Sequence, residues 1–269
     1  MGVFPYLSTM FSKFFNWRKQ EENNPALPLP APIAIGANWS FLGADMHSHF
    51  IPGIDDGAKT IEDSLKLIGA MKEMGYRSII TTPHVMIDYY PNTKETIQNG
   101  LLNVQNAIKE HNIDISIKAA AEYYIDESFI RLLDTEPLLT IYNKEVLVEF
   151  SMLYEPPMLF EVIFKMRAAG YQPIIAHPER YLFFHKSFNK YRELKDNGCL
   201  LQLNMLSIAG YYGRHIKMIA NDLLAKQLYD YCGSDMHHER HAAVLNAMAG
   251  TKDYHTFVNY PFLNSRLCC

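Results

Sequence analysis

From residue 42 onward, apolar and polar residues follow two alternating patterns along the chain. Short continuous apolar runs are typical of strands buried on both faces, and each is followed by a stretch with the apolar periodicity of a helix. The predicted strands are the segment entering Asp45 and residues 77–82, 115–121, 145–150, 172–177, 200–204 and 229–235. This order predicts an α/β fold in which seven parallel strands are covered by helices.

Helical periodicity lies between these strands. The first predicted helix begins at Thr60, where the letters TIED resemble a capping box, and ends at Gly75. The other predicted helices span residues 94–111, 158–170, 187–197 and 215–228. Helices placed between consecutive strands supply the crossovers that parallel strands require.

The first forty residues follow a different pattern. Residues 23–32, NNPALPLPAP, are rich in proline and predict an extended linker. The leader before it carries aromatic residues among basic ones, which allows either a disordered tail or a helix lying on a membrane surface. We therefore predict a flexible leader and linker at 1–40 and a single domain at 41–269.

Composition and charge narrow the functional classes. A net charge of −4 with no basic stripe argues against nucleic-acid binding. No apolar run approaches the ~20 residues of a membrane-spanning helix. The cysteines are Cys199, Cys232, Cys268 and Cys269. Because they form no C-x-x-C pair, neither a zinc knuckle nor a disulfide framework is indicated, and a reducing compartment such as the cytoplasm is favoured.

Metal-capable side chains follow six of the seven predicted strands. In chain order they are His47 and His49, His84, Glu122, Glu149, His177, and finally Asp235 with His237. In parallel α/β barrels the carboxyl ends of the strands meet on one face, where the chemistry is built. A single histidine after a strand is usually a core or loop residue, but this repetition predicts a metal site.

Glu149 strengthens this prediction. It lies within VLVEF, where a strand buried on both faces would leave its carboxylate without a partner. An isolated buried charge costs several kcal/mol, so Glu149 needs a metal, an arginine or a proton. The alternative is an edge strand with Glu149 facing water.

Imidazole and carboxylate ligands without thiolates suit Mn, Fe or Zn in an open catalytic site, and so many ligands predict two or three ions.

Two further stretches carry candidate chemistry. Asp55 and Asp56 follow the two histidines of DMHSHFIPGIDDG (45–57), where they are either part of the metal site or a simple turn. Arg180 follows His177 by three residues in HPER. A fixed guanidinium beside a metal cluster is suited to binding phosphate oxygens. The alternative for Arg180 is a surface position paired with Glu179.

Six motifs occur in the order seen in the polymerase and histidinol phosphatase (PHP) superfamily. They are DMHSHFIPGIDDG, TTPH, AAEYY, VEFS, IIAHPERY and GSDMH, and they cover residues 44–240. Within that superfamily the chain most resembles the bacterial capsular-polysaccharide tyrosine phosphatases of the CpsB/CapC/YwqE type. The resemblance implies a distorted seven-stranded (β/α) TIM-like barrel of the PHP type. It also implies a centre of two or three metal ions, usually Mn²⁺, with Fe or Zn as alternatives.

The resemblance also implies a role for individual residues. The family's metal ligands fall on His47, His49, Asp56, His84, Glu122, Glu149, His177, Asp235 and His237. Asp55 is the adjacent choice if the turn has a different register. Arg180 matches the phosphate-binding arginine. Arg240 is the candidate for a second catalytic arginine, although it follows His237 more closely than the equivalent residue does in relatives.

The activity implied by the resemblance is protein-tyrosine phosphatase activity. The expected substrate is the phosphorylated tyrosine-rich tail of a bacterial tyrosine autokinase that controls capsule or exopolysaccharide synthesis. A metal-bound hydroxide would attack phosphorus without a covalent intermediate. The expected location is the cytoplasm, with membrane association only through the partner or weakly through the leader, and no nucleic-acid partner is expected.

Three alternatives compete with this interpretation. One is another PHP phosphoesterase, such as a histidinol-phosphate phosphatase. A second is an amidohydrolase, which shares the H-x-H opening but commonly uses a carboxylated lysine that none of the predicted strand ends offers. A third is a non-catalytic scaffold, which would be expected to have lost ligands, whereas none is lost here. A thiol-based phosphatase is excluded because neither Cys199 nor Cys232 begins a C-x5-R loop.

Overall fold

The computed structural model describes residues 36–268, and within that range the chain forms nine short strands in two parallel sheets. The strands are β1 (Ala44–Asp45), β2 (Ser78–Thr81), β3 (His84–Val85), β4 (Ser116–Ala119), β5 (Glu122–Tyr124), β6 (Glu145–Glu149), β7 (Gln172–Ala176), β8 (Leu200–Asn204) and β9 (Tyr231–Gly233). One sheet has the order β1-β2-β4, and the other has the order β3-β5-β6-β7-β8-β9. The predicted parallel α/β arrangement is confirmed.

The number of strands differs from the prediction because two chain segments pass from one sheet to the other. Pro83 separates β2 from β3, and proline cannot donate a ladder hydrogen bond. Two residues outside the strands, Ala120 and Ala121, likewise separate β4 from β5. The first half of each segment pairs in the three-stranded sheet and the second half in the six-stranded sheet. Seven continuous strands are therefore not established.

Beyond their last strand residues, β1 and β9 approach each other. The backbone N–H of Asp235 donates to the carbonyl of His47 at 2.8 Å, and that of His49 donates to the carbonyl of Met236 at 3.0 Å. Ser48 and Met236 form an isolated parallel bridge between the two segments. These contacts join the ends of the two sheets without a strand ladder, so a closed barrel stays a prediction.

Nine α-helices occur among the described residues. They are α1 (Ile61–Glu73), α2 (Lys94–Glu110), α3 (Glu127–Thr135), α4 (Leu159–Ala168), α5 (Asn189–Asp196), α6 (Met205–Ala209), α7 (Arg214–Ala225), α8 (Glu239–Asn246) and α9 (Lys252–Val258). The capping box predicted at Thr60 is confirmed, with Asp63 as its reciprocal partner. Buried apolar side chains of the helices pack against the strands in one large core. A second, smaller core consists mainly of strand residues such as Leu147, Ile174 and Tyr231 and contains no buried residue from an α-helix.

The amino ends of the strands are covered by the last part of the described chain. Asn264 lies in a 3-10 helix, Leu263–Leu267, and its side-chain amide donates to the carbonyls of Ala44 and Cys232 at 3.0 and 2.7 Å. Leu267 packs into the smaller core. The open end of the sheets is therefore the carboxyl end, where the candidate ligands lie.

The predicted leader and linker, residues 1–40, lie outside the described residues except for 36–40. In that short segment Trp39 is fully buried, and its ring lies edge-on to Phe257 with 5.4 Å between centroids. Burying a tryptophan removes a large apolar area from water, so this segment contributes to the packing of the domain. Between residues 36 and 268, no helix has both the length and the apolar character needed to span a membrane.

Candidate metal centre

The carboxyl ends of the strands bring all nine predicted ligands together. Four overlapping sets each hold one ligand atom per residue within 4.8 Å of the others. The sets are His49, Asp56, His84 and His237; His47, Glu122 and His177; His47, His49 and Asp235; and His84, Glu122 and Glu149. Because several residues belong to two sets, the cluster is continuous.

Close backbone packing and strained dihedrals place several of these residues. Gly233 precedes Asp235 at the end of β9, and a Cβ there would lie 2.6 Å from Cβ of His47, so no larger residue fits. His177 and Asp235 both have positive φ values, of 34° and 48°. Such conformations cost about 1–3 kcal/mol each in non-glycine residues and are concentrated at functional sites. The strain is consistent with a geometry that serves chemistry rather than stability.

Glu122 lies at the middle of the cluster. One carboxylate oxygen, Oε2, is 3.2 Å from Nε2 of His47 and 3.1 Å from Nδ1 of His84, while Oε1 is 3.1 Å from Nε2 of His177. The same Nδ1 of His84 is 3.0 Å from Oε1 of Glu149. Glu122 would therefore be one of the residues that hold a metal together with these histidines.

Several buried polar atoms of the cluster lack a hydrogen bond of good geometry among the described residues, although some of them lie close to one another. They are Nε2 of His47, Nε2 of His49, Nδ1 of His177, Oε2 of Glu122 and both carboxylate oxygens of Glu149. Each such atom ordinarily costs about 1–3 kcal/mol, so a cluster of them calls for a common partner. Imidazole nitrogens and carboxylate oxygens facing one another are the donor set of Mn, Fe and Zn sites. The residues present therefore fit a group of metal ions.

Without metal, protonation of His47 balances part of the negative charge of the cluster. Burial opposes protonation of His47, but the carboxylates of Glu122 and Asp235 outweigh it and raise the pKa of His47 to about 9. Burial also opposes ionisation of Glu122 and Asp235, yet the neighbouring histidines hold the pKa of both carboxyls well below the usual range. The carboxylates are therefore ionised and available as ligands at neutral pH, whereas His47 must lose a proton to bind a metal.

The two adjacent aspartates face different partners. Asp55 accepts a hydrogen bond from Nδ1 of His49 at 2.8 Å and from the backbone N–H of Gly57 at 2.9 Å, so it lies behind His49. Asp56 instead faces the cluster, with Oδ1 3.4 Å from Nε2 of both His84 and His237. The turn at 55–57 thus both folds the loop and places a carboxylate in the cluster. This geometry favours Asp56 as the ligand and Asp55 as the residue that orients His49.

Strand β8 supplies two side chains that the sequence did not single out. Oε1 of Gln202 lies 3.0 Å from Nδ1 of His47 and also accepts from the backbone N–H of His177 at 3.2 Å. The side-chain amide of Asn204 donates to Oδ2 of Asp235 at 2.7 Å. Both amides therefore hold candidate ligands from behind. Their only signal in the sequence is the presence of two amides in the otherwise apolar LLQLN.

Arg180 is buried beside the cluster. Its side chain is 5% exposed, and Nη1 donates to Oδ2 of Asp235 at 3.0 Å. Its guanidinium carbon lies 4.2 Å from the ring centroid of Tyr212, in cation–π contact. The alternative of a surface arginine is therefore wrong. Glu179 points elsewhere and accepts from the hydroxyl of Tyr229 at 2.9 Å.

The alternative for Glu149 is also wrong. Its strand, β6, lies between β5 and β7 inside the six-stranded sheet, and its side chain is fully buried. Arg240 is placed less directly. It lies in the first turn of α8 with its guanidinium carbon 5.7 Å from the ring centroid of Tyr211, and its side chain is half-buried.

Comparison with known proteins connects this geometry to a family. The family model described as "Capsular polysaccharide synthesis, CpsB/CapC" matches residues 43–251. The chain is 26% identical over 213 residues to the tyrosine-protein phosphatase YwqE of Bacillus subtilis, covering 79% of this chain and 80% of YwqE. It is 30% identical over 199 residues to the tyrosine-protein phosphatase CpsB of Streptococcus pneumoniae, covering 72% of this chain and 82% of CpsB.

Solved structures agree with the sequence relatives. A crystal structure from work on YwqE and CpsB, described as metal-dependent tyrosine phosphatases, superimposes with a TM-score of 0.69 at 26% identity, covering 79% of this chain and 90% of the other. An amidohydrolase from Mycoplasma synoviae superimposes with a TM-score of 0.52 at 13% identity, covering 87% and 91% of the two chains. The latter likeness shows a shared fold alone.

Proposed function

The chain belongs to the CpsB/CapC family of capsular polysaccharide synthesis, and on that premise we propose that it is a metal-dependent protein-tyrosine phosphatase. The observation that carries the proposal is the convergence of nine imidazole and carboxylate side chains at one end of the sheets, with a buried arginine beside them. The relatives named as tyrosine phosphatases indicate the substrate class, and the cluster in this chain provides the metal ligands that such a reaction needs.

The proposed ligands are the nine residues of the cluster, with Asp56 rather than Asp55 from the turn. They are His47, His49, Asp56, His84, Glu122, Glu149, His177, Asp235 and His237. Two or three ions are proposed, with Mn²⁺ as the usual ion and Fe or Zn as alternatives. Such ions, when bound, lower the pKa of water and neutralise charge on phosphate oxygens. Glu122 would help to hold the ions with both of its carboxylate oxygens, because these oxygens approach three of the histidines.

Arg180 is the proposed phosphate-binding residue. Its guanidinium offers several N–H donors in one plane, and one of them is already held by Asp235. Contact with the face of Tyr212 restricts the guanidinium further, so little side-chain entropy remains to be lost when phosphate binds. Donors fixed in this way stabilise the charge that develops on the phosphoryl oxygens in the transition state. Arg240 is proposed as a second phosphate contact from the family resemblance.

We also propose that the two sheets together make a distorted barrel of the PHP type. The hydrogen bonds between residues 47–49 and 235–236 support this, since they join the chain after β1 to the chain after β9. In that arrangement the segments carrying β2 with β3 and β4 with β5 act as two interrupted barrel strands.

The proposed substrate is a phosphorylated tyrosine in the tail of a bacterial tyrosine autokinase that controls capsule or exopolysaccharide synthesis. The family's description supports the capsule context. The partly exposed side chains of Asp56 and His237 support access to the cluster from solvent. The cytoplasm is the proposed location, where such a kinase tail would lie and where the free cysteines would stay reduced. A histidinol-phosphate phosphatase is not favoured because the named relatives are tyrosine phosphatases.

The test compares substrates on the full chain after its metal content has been measured by mass spectrometry. Phosphotyrosine peptides are expected to be hydrolysed much faster than matched phosphoserine peptides or histidinol phosphate. Part of this preference is chemical, because a phenol with a pKa near ~10 leaves more readily than an alkyl alcohol. Equal rates on phosphotyrosine and phosphoserine peptides, or fastest turnover of histidinol phosphate, would refute the assignment.

A further inference from the structure

An apolar cleft opens beside the metal-ligating cluster, on the same end of the sheets. It has a volume of about 240 Å³ and lies between the ends of β3 and β5 and the first turns of α2 and α3. Its apolar lining includes Val85, Ile87, Ile97, Tyr123, Phe129 and Leu132. The proposed chemistry uses none of these side chains, so the cleft needs a separate explanation.

The cleft is continuous with the cluster through the backbone. Val85 directly follows His84 in β3, and Tyr123 directly follows Glu122 in β5. Asn92, which also lines the cleft, donates from its side-chain amide to the carbonyl of His84 at 2.8 Å. Because successive side chains of a strand point to opposite faces, the cleft lies on the other face of β3 and β5 from the cluster, and a ligand held at the cluster would reach it over the ends of these strands.

The chemistry of the cleft favours an apolar occupant over an anion. The N-cap side chains of α2 and α3, Thr93 and Asp126, already accept hydrogen bonds from the first turns of their helices. Asp126 and Glu136 place two carboxylates at the cleft, against the single cation of Lys94. An anionic group would meet net negative charge there, whereas an apolar group would meet the lining described above.

The exposure of Ile87 also favours an apolar occupant of the cleft. Ile87 is 55% exposed although it lies at the cleft, so its side chain presents apolar surface to solvent beside the lining. Covering such a surface on binding gains free energy roughly in proportion to the apolar area removed from water. The cleft is smaller than the ~300–1,000 Å³ typical of sites for whole drug-sized ligands. It therefore has room for a side chain of a longer ligand.

We propose that this cleft is a substrate subsite for one large apolar side chain, aromatic or branched aliphatic, of the polypeptide that carries the phosphotyrosine. The inference rests on the proposed phosphatase function and adds a sequence preference to it. Because an extended chain advances ~3.3–3.6 Å per residue and must pass over the ends of β3 and β5, the side chain is expected a few residues away from the phosphotyrosine. A phosphate ester without a polypeptide would not reach the cleft.

The experiment measures kcat/KM on phosphotyrosine peptides whose flanking positions are alanine, and on peptides with one phenylalanine placed at each flanking position in turn. 4-Nitrophenyl phosphate serves as the small reference substrate. At one flanking position or two adjacent ones, phenylalanine is expected to raise kcat/KM about tenfold, the scale of burying one large apolar side chain. No preference at any position would overturn the proposal.

A pair of matched variants locates the preference. Ile87→Asp places a charge at the cleft, and Leu102→Asp places one at an equally exposed leucine on α2 that does not line it, both residues being 55% exposed. Ile87→Asp is expected to abolish the phenylalanine preference, and Leu102→Asp to keep it. Turnover of 4-nitrophenyl phosphate is expected to be equal in both variants and the unaltered protein. A phenylalanine preference that survives Ile87→Asp would overturn the assignment to this cleft.

Two further outcomes keep the proposals distinguishable. If Ile87→Asp also slows 4-nitrophenyl phosphate turnover, the loop is damaged and Leu132→Ala, on the opposite wall of the cleft, becomes the deciding variant. If the unaltered protein hydrolyses neither the peptides nor 4-nitrophenyl phosphate with metal present, the phosphatase function itself is wrong. Hydrolysis of all peptides at one rate contradicts the subsite alone.

Discussion

The side-chain oxygen of Gln202 lies 3.0 Å from Nδ1 of His47, on the side of the imidazole away from the carboxylates of Glu122 and Asp235. This contact holds the proton on Nδ1 and leaves Nε2 to bind a metal. Gln202→Met, which keeps the size of the side chain but removes the acceptor, is expected to lower metal affinity about 10–100-fold. Titration of the metal-free protein with Mn²⁺ measures the effect.

A second glutamine provides the control for this prediction. Gln105 on α2 donates to the carbonyl of Ile117 at 3.0 Å, outside the cluster. Gln105→Met is expected to leave metal affinity unchanged. Unaltered affinity in Gln202→Met would show that His47 needs no partner behind it.

Substitutions of the neighbouring Asp55 and Asp56 are expected to impair metal binding in different ways. Asp56→Asn removes a carboxylate that faces His84 and His237, so the protein is expected to bind at least one metal ion fewer. Asp55→Asn disturbs the acceptor behind His49, so the full number of ions is expected to bind with lower affinity. Metal-to-protein ratios by mass spectrometry at saturating metal separate the two. The reverse pattern would make Asp55 the ligand.

Arg180→Ala is expected to leave the fold and the bound metal intact while lowering turnover of phosphotyrosine peptides by about 10²–10³-fold. That is the usual cost of removing one fixed donor to a transition-state oxyanion. Arg180→Lys keeps the charge but not the planar set of donors, so it is expected to recover only part of the rate. A rate close to that of the unaltered protein in Arg180→Ala would remove Arg180 from the site.

The convergence of the candidate ligands could be predicted from the sequence because it depends on local patterns. All of them except Asp56 follow or end an apolar run, and parallel strands present their carboxyl ends on one side. The burial of Glu149 could be predicted for the same reason, since its position inside VLVEF excludes water on both faces. The structure confirms both expectations.

Other features depend on contacts between distant segments, which no single-sequence pattern encodes. Gln202 and Asn204 gain their roles only because β8 lies between β7 and β9, next to His177 and Asp235. The division into two sheets likewise depends on which partner each half of a broken strand finds. The break at Pro83 was not predicted from the sequence, because its consequence for strand pairing depends on the fold.

The metal-free protein is expected to lose stability as the pH rises toward 9. Because the folded-state pKa of His47 is raised from 6.5 to about 9, its stabilising contribution is present below pH 6.5 and lost as the pH rises through 9. The loss is at most about 3 kcal/mol, at 1.36 kcal/mol per pKa unit. Burial raises the pKa of Asp45 and of Glu179 to about 7, so they act in the same direction at lower pH.

Urea unfolding in the presence of a chelator, over the interval from about pH 7.5 to 9.5, measures this loss of stability. Burial opposes protonation of His49, but chiefly the carboxylate of Asp55 outweighs it and raises the pKa of His49 as well, so a variant is needed to identify the part that is due to His47. His47→Gln is expected to flatten the pH dependence in this interval. His215→Gln, at an exposed histidine on α7, is expected to preserve it. A stability that does not change with pH in the unaltered metal-free protein would contradict the charge pairing described for His47.

The cysteines are poorly placed for a thiol mechanism. Cys199 and Cys232 are buried, and burial raises the pKa of the Cys199 thiol to about 12 and that of Cys232 well above its usual range. Cys268 is exposed but lies beside Gly43, before the amino end of β1, whereas His47 follows the carboxyl end of that strand. Cys269 lies outside the described residues. A reactive thiolate needs a lowered pKa and access to the substrate, which the described cysteines do not combine.

Chelation is therefore expected to abolish phosphatase activity, and added Mn²⁺ to restore it, because among residues 36–268 only the histidine and carboxylate cluster offers the required chemistry. Alkylation of the accessible thiols in the native protein is expected to leave the rate nearly unchanged, as is replacement of Cys268 and Cys269 by serine. The measurement is the initial rate on a phosphotyrosine peptide after each treatment, with metal content determined in parallel. Activity that survives exhaustive removal of metal but is lost on alkylation would overturn the metal-dependent mechanism.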